Sequence, residues 1–167
     1  MNTICIVGLG YIGLPTVLIL ARNNSNIIGF DINKEIVHKI NKGISHIKEP
    51  TVDAELSLAI NKKSFYATSD PVFADVYIIA VPTPYIKQNE GIFHPDTSKV
   101  FQAIELISPF LKKESLLIIE STCPVGTTEE VASLISKKVN IKIEDLNLAY
   151  CPERVIPGDI LNELLNN

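Results

Sequence analysis

Cysteine is scarce in this sequence, with Cys5, Cys123 and Cys151 the only three among 167 residues. An odd number at wide spacing matches neither a disulfide framework nor a CxxC metal pair. Basic residues are not in excess: fifteen Lys and Arg stand against nineteen Asp and Glu, for a net charge of −4. Such a chain has no general field to gather nucleic acid or an anionic membrane surface. Long apolar runs are missing too, since residues 14–21 and 76–81 fall short of the ~18–20 that a spanning helix needs. Met1 leads directly into a strand-like run, without a basic leader or a small-residue cleavage site, so the chain is expected to be cytoplasmic. His38, His46 and His94 are scattered rather than set at ligand spacing, and no metal site is expected. With 46% apolar and 20% charged residues and no repeat, low-complexity linker or composition shift, residues 1–167 are expected to form a single domain.

What is present is an alternation of short β-branched runs with longer stretches of helical period. Strands are predicted at 3–7, 26–31, 65–68, 75–81, 115–120 and 146–151. Helices are predicted from the first glycine turn through Ala21, then at 33–42 with Gly43 as its stop, 51–63, 96–113, 125–138 and 157–165. Pro15 falls in a first turn, where a missing N–H does little harm, whereas Pro109 calls for a kink or an early end. Residues 85–95 read as a loop. Strands alternating with helices imply an α/β fold of Rossmann type, a doubly wound parallel sheet of about six strands with helices on both faces. Ligands of such sheets bind at the carboxyl ends of the strands.

The first of those ends carries Gly8-Leu9-Gly10-Tyr11-Ile12-Gly13 between a strand and a helix. In this context Gly8 permits a tight turn, Gly10 admits a pyrophosphate to the backbone, and Gly13 lets helix and strand approach. Asp31 closes the next strand, where a carboxylate accepts hydrogen bonds from the ribose of an adenosine and repels a 2′-phosphate. The cofactor expected is therefore NAD rather than NADP, with Lys34 nearby as a helix-surface lysine.

Three further strand ends point to the same edge. Val81-Pro82-Thr83-Pro84 stiffens Thr83 between two prolines beside the crevice. Glu120-Ser121-Thr122-Cys123-Pro124-Val125-Gly126-Thr127 brings hydroxyls to another helix start, where Thr122 suits the orientation of a water or an amide and Ser121, Thr122 and Thr127 also suit plain helix capping. Tyr150-Cys151-Pro152-Glu153-Arg154-Val155-Ile156-Pro157-Gly158 adds Glu153, a general base if burial raises its pKa, and Arg154, whose fork fits a phosphate or a carboxylate. A surface ion pair between those two neighbours is the structural alternative. Cys5 is expected to be buried and inert, and neither Cys123 nor Cys151 has the setting of a nucleophile.

Taken in order, these motifs resemble the amino-terminal half of the UDP-glucose/GDP-mannose dehydrogenase family. His46-Ile47 ahead of Glu49-Pro50, with the Cys-Pro-Glu-Arg-Val-Ile-Pro-Gly tail, most resembles the branch that oxidises UDP-N-acetyl-D-mannosamine. The resemblance implies oxidation of a sugar-nucleotide C6 alcohol to a carboxylate, with reduction of two NAD molecules. By the same likeness Tyr11, Ile12, Asp31, Thr83 and Thr122 contact NAD, Arg154 and Val155 contact the sugar nucleotide, and Glu153 assists attack of water on a thioester while Thr122 positions that water. The family's nucleophilic cysteine and its partner lysine belong to a later half, and nothing in this sequence matches them. The expectation is thus the NAD-binding portion of such an enzyme, without turnover by itself. It is expected to engage a UDP-sugar only together with a carboxy-terminal half, and to lack the central helix through which relatives dimerise. Two alternatives stand beside it: a freestanding NAD-binding module, and a dehydrogenase of β-hydroxyacid or 6-phosphogluconate type, which opens on a similar glycine turn.

Overall fold

Apolar runs of four residues supply the centre of the molecule, because a strand covered on both faces has no polar side to show. The computed structural model describes residues 2–23, 26–49, 51–87, 93–155 and 158–166. Within them, β1 (Ile4–Val7), β2 (Ile27–Phe30), β3 (Phe65–Thr68), β4 (Val76–Ile79), β7 (Leu116–Ile119) and β8 (Asn147–Tyr150) form one parallel sheet in the order β3-β2-β1-β4-β7-β8. Its register sets Ile4 between Ile27 and Val76, and Val76 beside Leu116. On one face α1 (Gly13–Ala21), α2 (Lys34–Asn41), α3 (Val52–Asn61) and α6 (Ile160–Asn166) build a core around Leu14, Leu18, Ile40, Leu56 and Ile160. On the other, α4 (Ser98–Ile107) and α5 (Thr127–Val139) enclose Tyr77, Ile79, Ile104 and Ile135. Among the described residues no helix is long and apolar enough to cross a membrane.

The doubly wound sheet expected from the sequence is borne out, with two corrections. Residues 85–95 are not simply a loop. Their described ends pair as an antiparallel hairpin, β5 (Tyr85–Lys87) with β6 (Phe93–Pro95), so His94 sits on an exposed strand. The side chains of Tyr85, Ile86 and Phe93, all exposed, hid a two-stranded ribbon because no core face selects one parity. Between β3 and β4 no helix intervenes, as the predicted strands at 65–68 and 75–81 imply, and the connection crosses the sheet. It is held by Tyr77, whose hydroxyl accepts from the Ala74 N–H and lies within hydrogen-bonding reach of the Val72 and Phe110 carbonyls. Finally α5 starts at Thr127, because Gly126 at φ +94° turns the chain before the helix begins. Pro109 ends α4 early, as its missing donor requires, and a 3-10 turn at Ser108–Phe110 follows. Pro50, Ile156 and Pro157, which belong to the motifs above, lie outside the described residues.

Candidate cofactor cleft

β1 and β4 are neighbours whose onward connections leave toward opposite edges, and a crevice opens above such a pair. The glycine turn forms its floor. Gly8 adopts φ +93°, and a Cβ there would meet the Ala80 carbonyl oxygen at 2.9 Å; at Gly13 it would meet the Gly8 oxygen at 1.9 Å. At Gly10 a Cβ would meet nothing within 4 Å. Two of the three glycines are therefore demanded by packing, while the third borders open space of the kind a pyrophosphate needs above a helix N-terminus.

Two cavities share Gly10, Val81 and Pro82 and so make one groove along the strand ends. The first, about 310 Å³, contains Gly8, Phe30, Asp31, Ile32 and Asn33. Asp31 is fixed by its own backbone surroundings: Oδ2 accepts from the Leu9 N–H at 2.9 Å and Oδ1 from the Asn33 N–H at 2.8 Å. The carboxylate thus ties the glycine turn to the start of α2, and each oxygen keeps a lone pair for a hydroxyl. Lys34 opens α2 on its exposed side, outside this lining, whereas Lys99 and Gln102 of α4 line the cavity. Neither of the latter two belongs to a sequence motif; only the docking of α4 brings them to the crevice.

The second cavity, about 430 Å³, gathers Tyr11, Ile12, Thr83, Thr122, Glu153, Arg154 and Val155 from four separate strand ends. Ser121 does not cap α5. Its Oγ lies 2.7 Å from the Val81 carbonyl oxygen and 3.2 Å from that of Ile79, which clips the end of β7 to β4. Thr127 and Thr122 make no capping bond either, since Gly126 holds the N-cap position without a side-chain acceptor. Glu153 turns back on its own chain, with Oε1 accepting the Arg154 N–H at 2.7 Å, and its N–H leans on the Glu120 carbonyl at 3.4 Å.

The carboxyl group that burial pushes up at this edge is Glu120, to about 7, with the Thr16 hydroxyl drawing it down and the charge of Glu153 adding to the rise. Thr16 Oγ1 donates to it, at 3.2 Å from Oε1 and 3.4 Å from Oε2. The sequence motif contains Glu120 but gives it no role; a charged residue directly after the apolar run 116–119 is the signal that could have found it.

Glu49 is the second residue missed in this way. It is 6% exposed, and its Oε1 accepts both the Tyr11 hydroxyl and the Gly158 N–H, the latter at 2.8 Å. Those bonds hold its carboxyl below the usual range and raise the Tyr11 hydroxyl in turn. The glycine turn is thereby anchored to the chain leading into α6. Of the cysteines, Cys5 is buried and its thiol is pushed up to about 12, Cys123 is also raised by burial, and Cys151 is exposed.

With this groove in view, comparison with known proteins is decisive. Residues 2–167 match the model of the UDP-glucose/GDP-mannose dehydrogenase family, NAD-binding domain. The chain belongs to that family, and its cofactor is NAD. It is 42% identical to a UDP-N-acetyl-D-mannosamine dehydrogenase of Campylobacter jejuni, the match covering 99% of this chain and 42% of that protein. It is 41% identical to an NDP-N-acetyl-D-galactosaminuronic acid dehydrogenase of Ralstonia nicotianae, over 99% of this chain and 40% of the relative. Among solved structures, a UDP-D-ManNAc dehydrogenase of Pyrococcus horikoshii superposes with a TM-score of 0.89 at 37% identity, covering 97% of this chain and 38% of the other. The family member described here therefore spans about 40% of the length of the relatives it matches.

Proposed function

We propose that this chain is the NAD-binding portion of a UDP-sugar 6-dehydrogenase that converts UDP-N-acetyl-D-mannosamine to the uronate. The observation that carries the reading is the meeting of Thr122, Glu153 and Arg154 with the glycine turn in one cavity. A domain that only stored NAD has no need of a carboxylate and a guanidinium there. In this reading NAD lies along the groove. Asp31 would accept from the adenosine ribose hydroxyls, the amides from Gly10 to Ile12 would hold the pyrophosphate, and Thr83 and Thr122 would flank the nicotinamide half. Open space at Gly10 and a carboxylate already oriented by two amides are what such a ligand requires. When bound, NAD supplies the acceptor for two electrons at each oxidation.

The chain's own groups do the remaining work. Arg154 and Val155 contact the UDP-sugar, with the guanidinium suited to its phosphates. Glu153 takes a proton from the attacking water, which Thr122 holds in line. The nucleophilic cysteine and lysine implied by the family resemblance are not matched in residues 1–167, so these residues alone bind NAD but do not turn over. The UDP-sugar joins only with the remaining half, dimerisation belongs to a central helix beyond the matched stretch, and the whole works in the cytoplasm. Relatives acting on different amino sugars stand at 42% and 41% identity, so the choice of mannosamine rests on the 46–50 and 151–158 motifs rather than on overall likeness.

Calorimetric titration with NAD, with NADP and the Asp31→Ala variant as controls, tests the cofactor half of this reading. Saturable NAD binding, weaker for NADP and for the variant, is expected; a folded chain that binds no NAD would overturn it. Turnover with UDP-N-acetyl-D-mannosamine is expected only after the carboxy-terminal half of a relative is added, and sustained NADH formation by the chain alone would contradict the division of labour.

A further inference from the structure

Glu120 is the one half-buried acid of the groove to which the proposed reaction gives no role. It ends β7 and lines the second cavity beside Thr122 and Glu153, and Thr16 of α1 holds it from below. The first cavity holds Asp31, and the two are joined through Gly10. A dinucleotide with its adenosine ribose at Asp31 and its pyrophosphate at Gly10 must therefore place its other half in the cavity that Glu120 lines. That half is a nicotinamide ring, which carries a positive charge when oxidised and none when reduced. We propose that Glu120 is a specificity-determining residue that discriminates between the oxidised and reduced cofactor, binding NAD⁺ with its carboxylate ionised and NADH with its carboxyl protonated. The inference rests on the placement of NAD given above.

The physical basis is the difference between the two ligands. NAD⁺ and NADH share adenosine, pyrophosphate and both riboses, so the ratio of their affinities reports on the ring alone. A carboxylate withdrawn from water interacts with a nearby charge far more strongly than an exposed one. The groups facing Glu120 are the neutral Thr16 hydroxyl from α1, Tyr11 from the glycine turn, and Glu153 with Arg154 from the chain after β8. Burial already brings this carboxyl to about 7, so a ring cation drives its proton off within the ordinary working range, whereas a neutral ring adds only further desolvation.

The test is calorimetric titration of the intact chain with NAD⁺ and with NADH from pH 5.5 to 8.5, in buffers of different ionisation enthalpy. In the parent chain the preference for NAD⁺ over NADH is expected to grow on the order of tenfold across that range, the equivalent of a one-unit pKa difference, with proton release on NAD⁺ binding. In Glu120→Gln the preference should be flat and the proton release gone. Thr16→Val keeps the shape of the side chain but removes the hydroxyl that draws the carboxyl down, so the midpoint should move upward; this second variant serves if Glu120→Gln does not fold. Glu153→Gln should keep the pH dependence with a lower midpoint. Binding of both cofactors at a constant ratio would overturn this inference and leave the cofactor reading intact. A pH dependence that survives in Glu120→Gln and vanishes in Glu153→Gln would reassign the role to Glu153. Failure of a folded chain to bind either form would overturn the placement of NAD and the inference with it.

Discussion

The two ends of the groove are built on different physical terms. At the Asp31 end the carboxylate is pinned by two backbone amides, from Leu9 and Asn33, and the fold alone determines its orientation. At the Glu120 end the carboxyl group has one hydroxyl partner, a neighbouring acid and a pKa pushed up by burial. In the proposed placement of NAD the first end would recognise an unchanging part of the cofactor, which gains from preorganised hydrogen bonds. The second can exist in two charge states in the working range, which suits the part of the cofactor that changes. Fixed geometry and adjustable charge thus sit at opposite ends of one strand-edge crevice.

The harshest way to break the comparison is to attack the turn that both ends share. Gly13→Ala drives a Cβ into the Gly8 backbone oxygen, which no side-chain motion relieves. Urea unfolding should show a loss of about 3 kcal/mol or more. Gly10→Ala meets no atom and should cost less than about 1 kcal/mol in the same assay, yet reduce NAD affinity by about tenfold, because its methyl group enters the space assigned to the pyrophosphate. Unchanged NAD affinity in Gly10→Ala would show that open space at Gly10 has no bearing on binding, and equal stability losses in the two variants would show that packing does not separate the two glycines.

Asp31→Ala strikes one end only. It removes the acceptor of the Leu9 and Asn33 amides along with the proposed ribose partner, so NAD affinity should fall about 10–100-fold and stability by about 1–2 kcal/mol. Titration and unfolding of the same preparation separate the two effects. Glu120→Gln strikes the other end and should act in the opposite sense on stability. The folded carboxyl group titrates near 7 against 4.5 in a solvated chain, so folding takes up a proton between those values. Stability from this group is complete below about pH 4.5 and is lost as pH rises through 7. Relative to the parent, Glu120→Gln should therefore gain about 3 kcal/mol between pH 4 and pH 8, read from unfolding midpoints. A stability difference that does not change with pH would mean that the charge of Glu120 is not penalised. The smallest effect belongs to Glu153→Gln, whose carboxylate accepts the Arg154 N–H of its own neighbour; stability should shift by less than about 0.5 kcal/mol and NAD affinity by less than about twofold.

The element pattern could be read because strands covered on both faces leave apolar runs and helices leave a 3.6-residue period. Six strands and their parallel pairing followed from that, and Gly8, Gly13 and Asp31 from turn chemistry with few alternatives. The pairing of Tyr85–Lys87 with Phe93–Pro95 escaped because both strands are exposed, so burial imposes no alternation. The helix-free step before β4 was legible, since no helical stretch separates 65–68 from 75–81, but what holds it was not: the one buried hydroxyl of Tyr77 looks like any core tyrosine in sequence. At the site, Thr122, Glu153 and Arg154 could be singled out because strand ends of a parallel sheet converge on one edge. For Ser121 the alternative of helix capping does not hold, since capping is a local habit of its residue type, whereas its observed bonds to Ile79 and Val81 reach back about 40 residues in the chain.

The winding of the sheet, the glycine turn and the nature of the cofactor were settled within the chain's own order of residues, since each depends on short-range chemistry: residue period, Cβ-free backbone, a carboxylate after a strand. Packing in three dimensions was needed before Glu120 could titrate near 7 and before Glu49 could join Tyr11 to Gly158. A carboxyl group's charge state is set by how much water and which partners surround it. For Glu120 those partners are Thr16, 104 residues distant in the chain, and Glu153, which no local pattern connects to it.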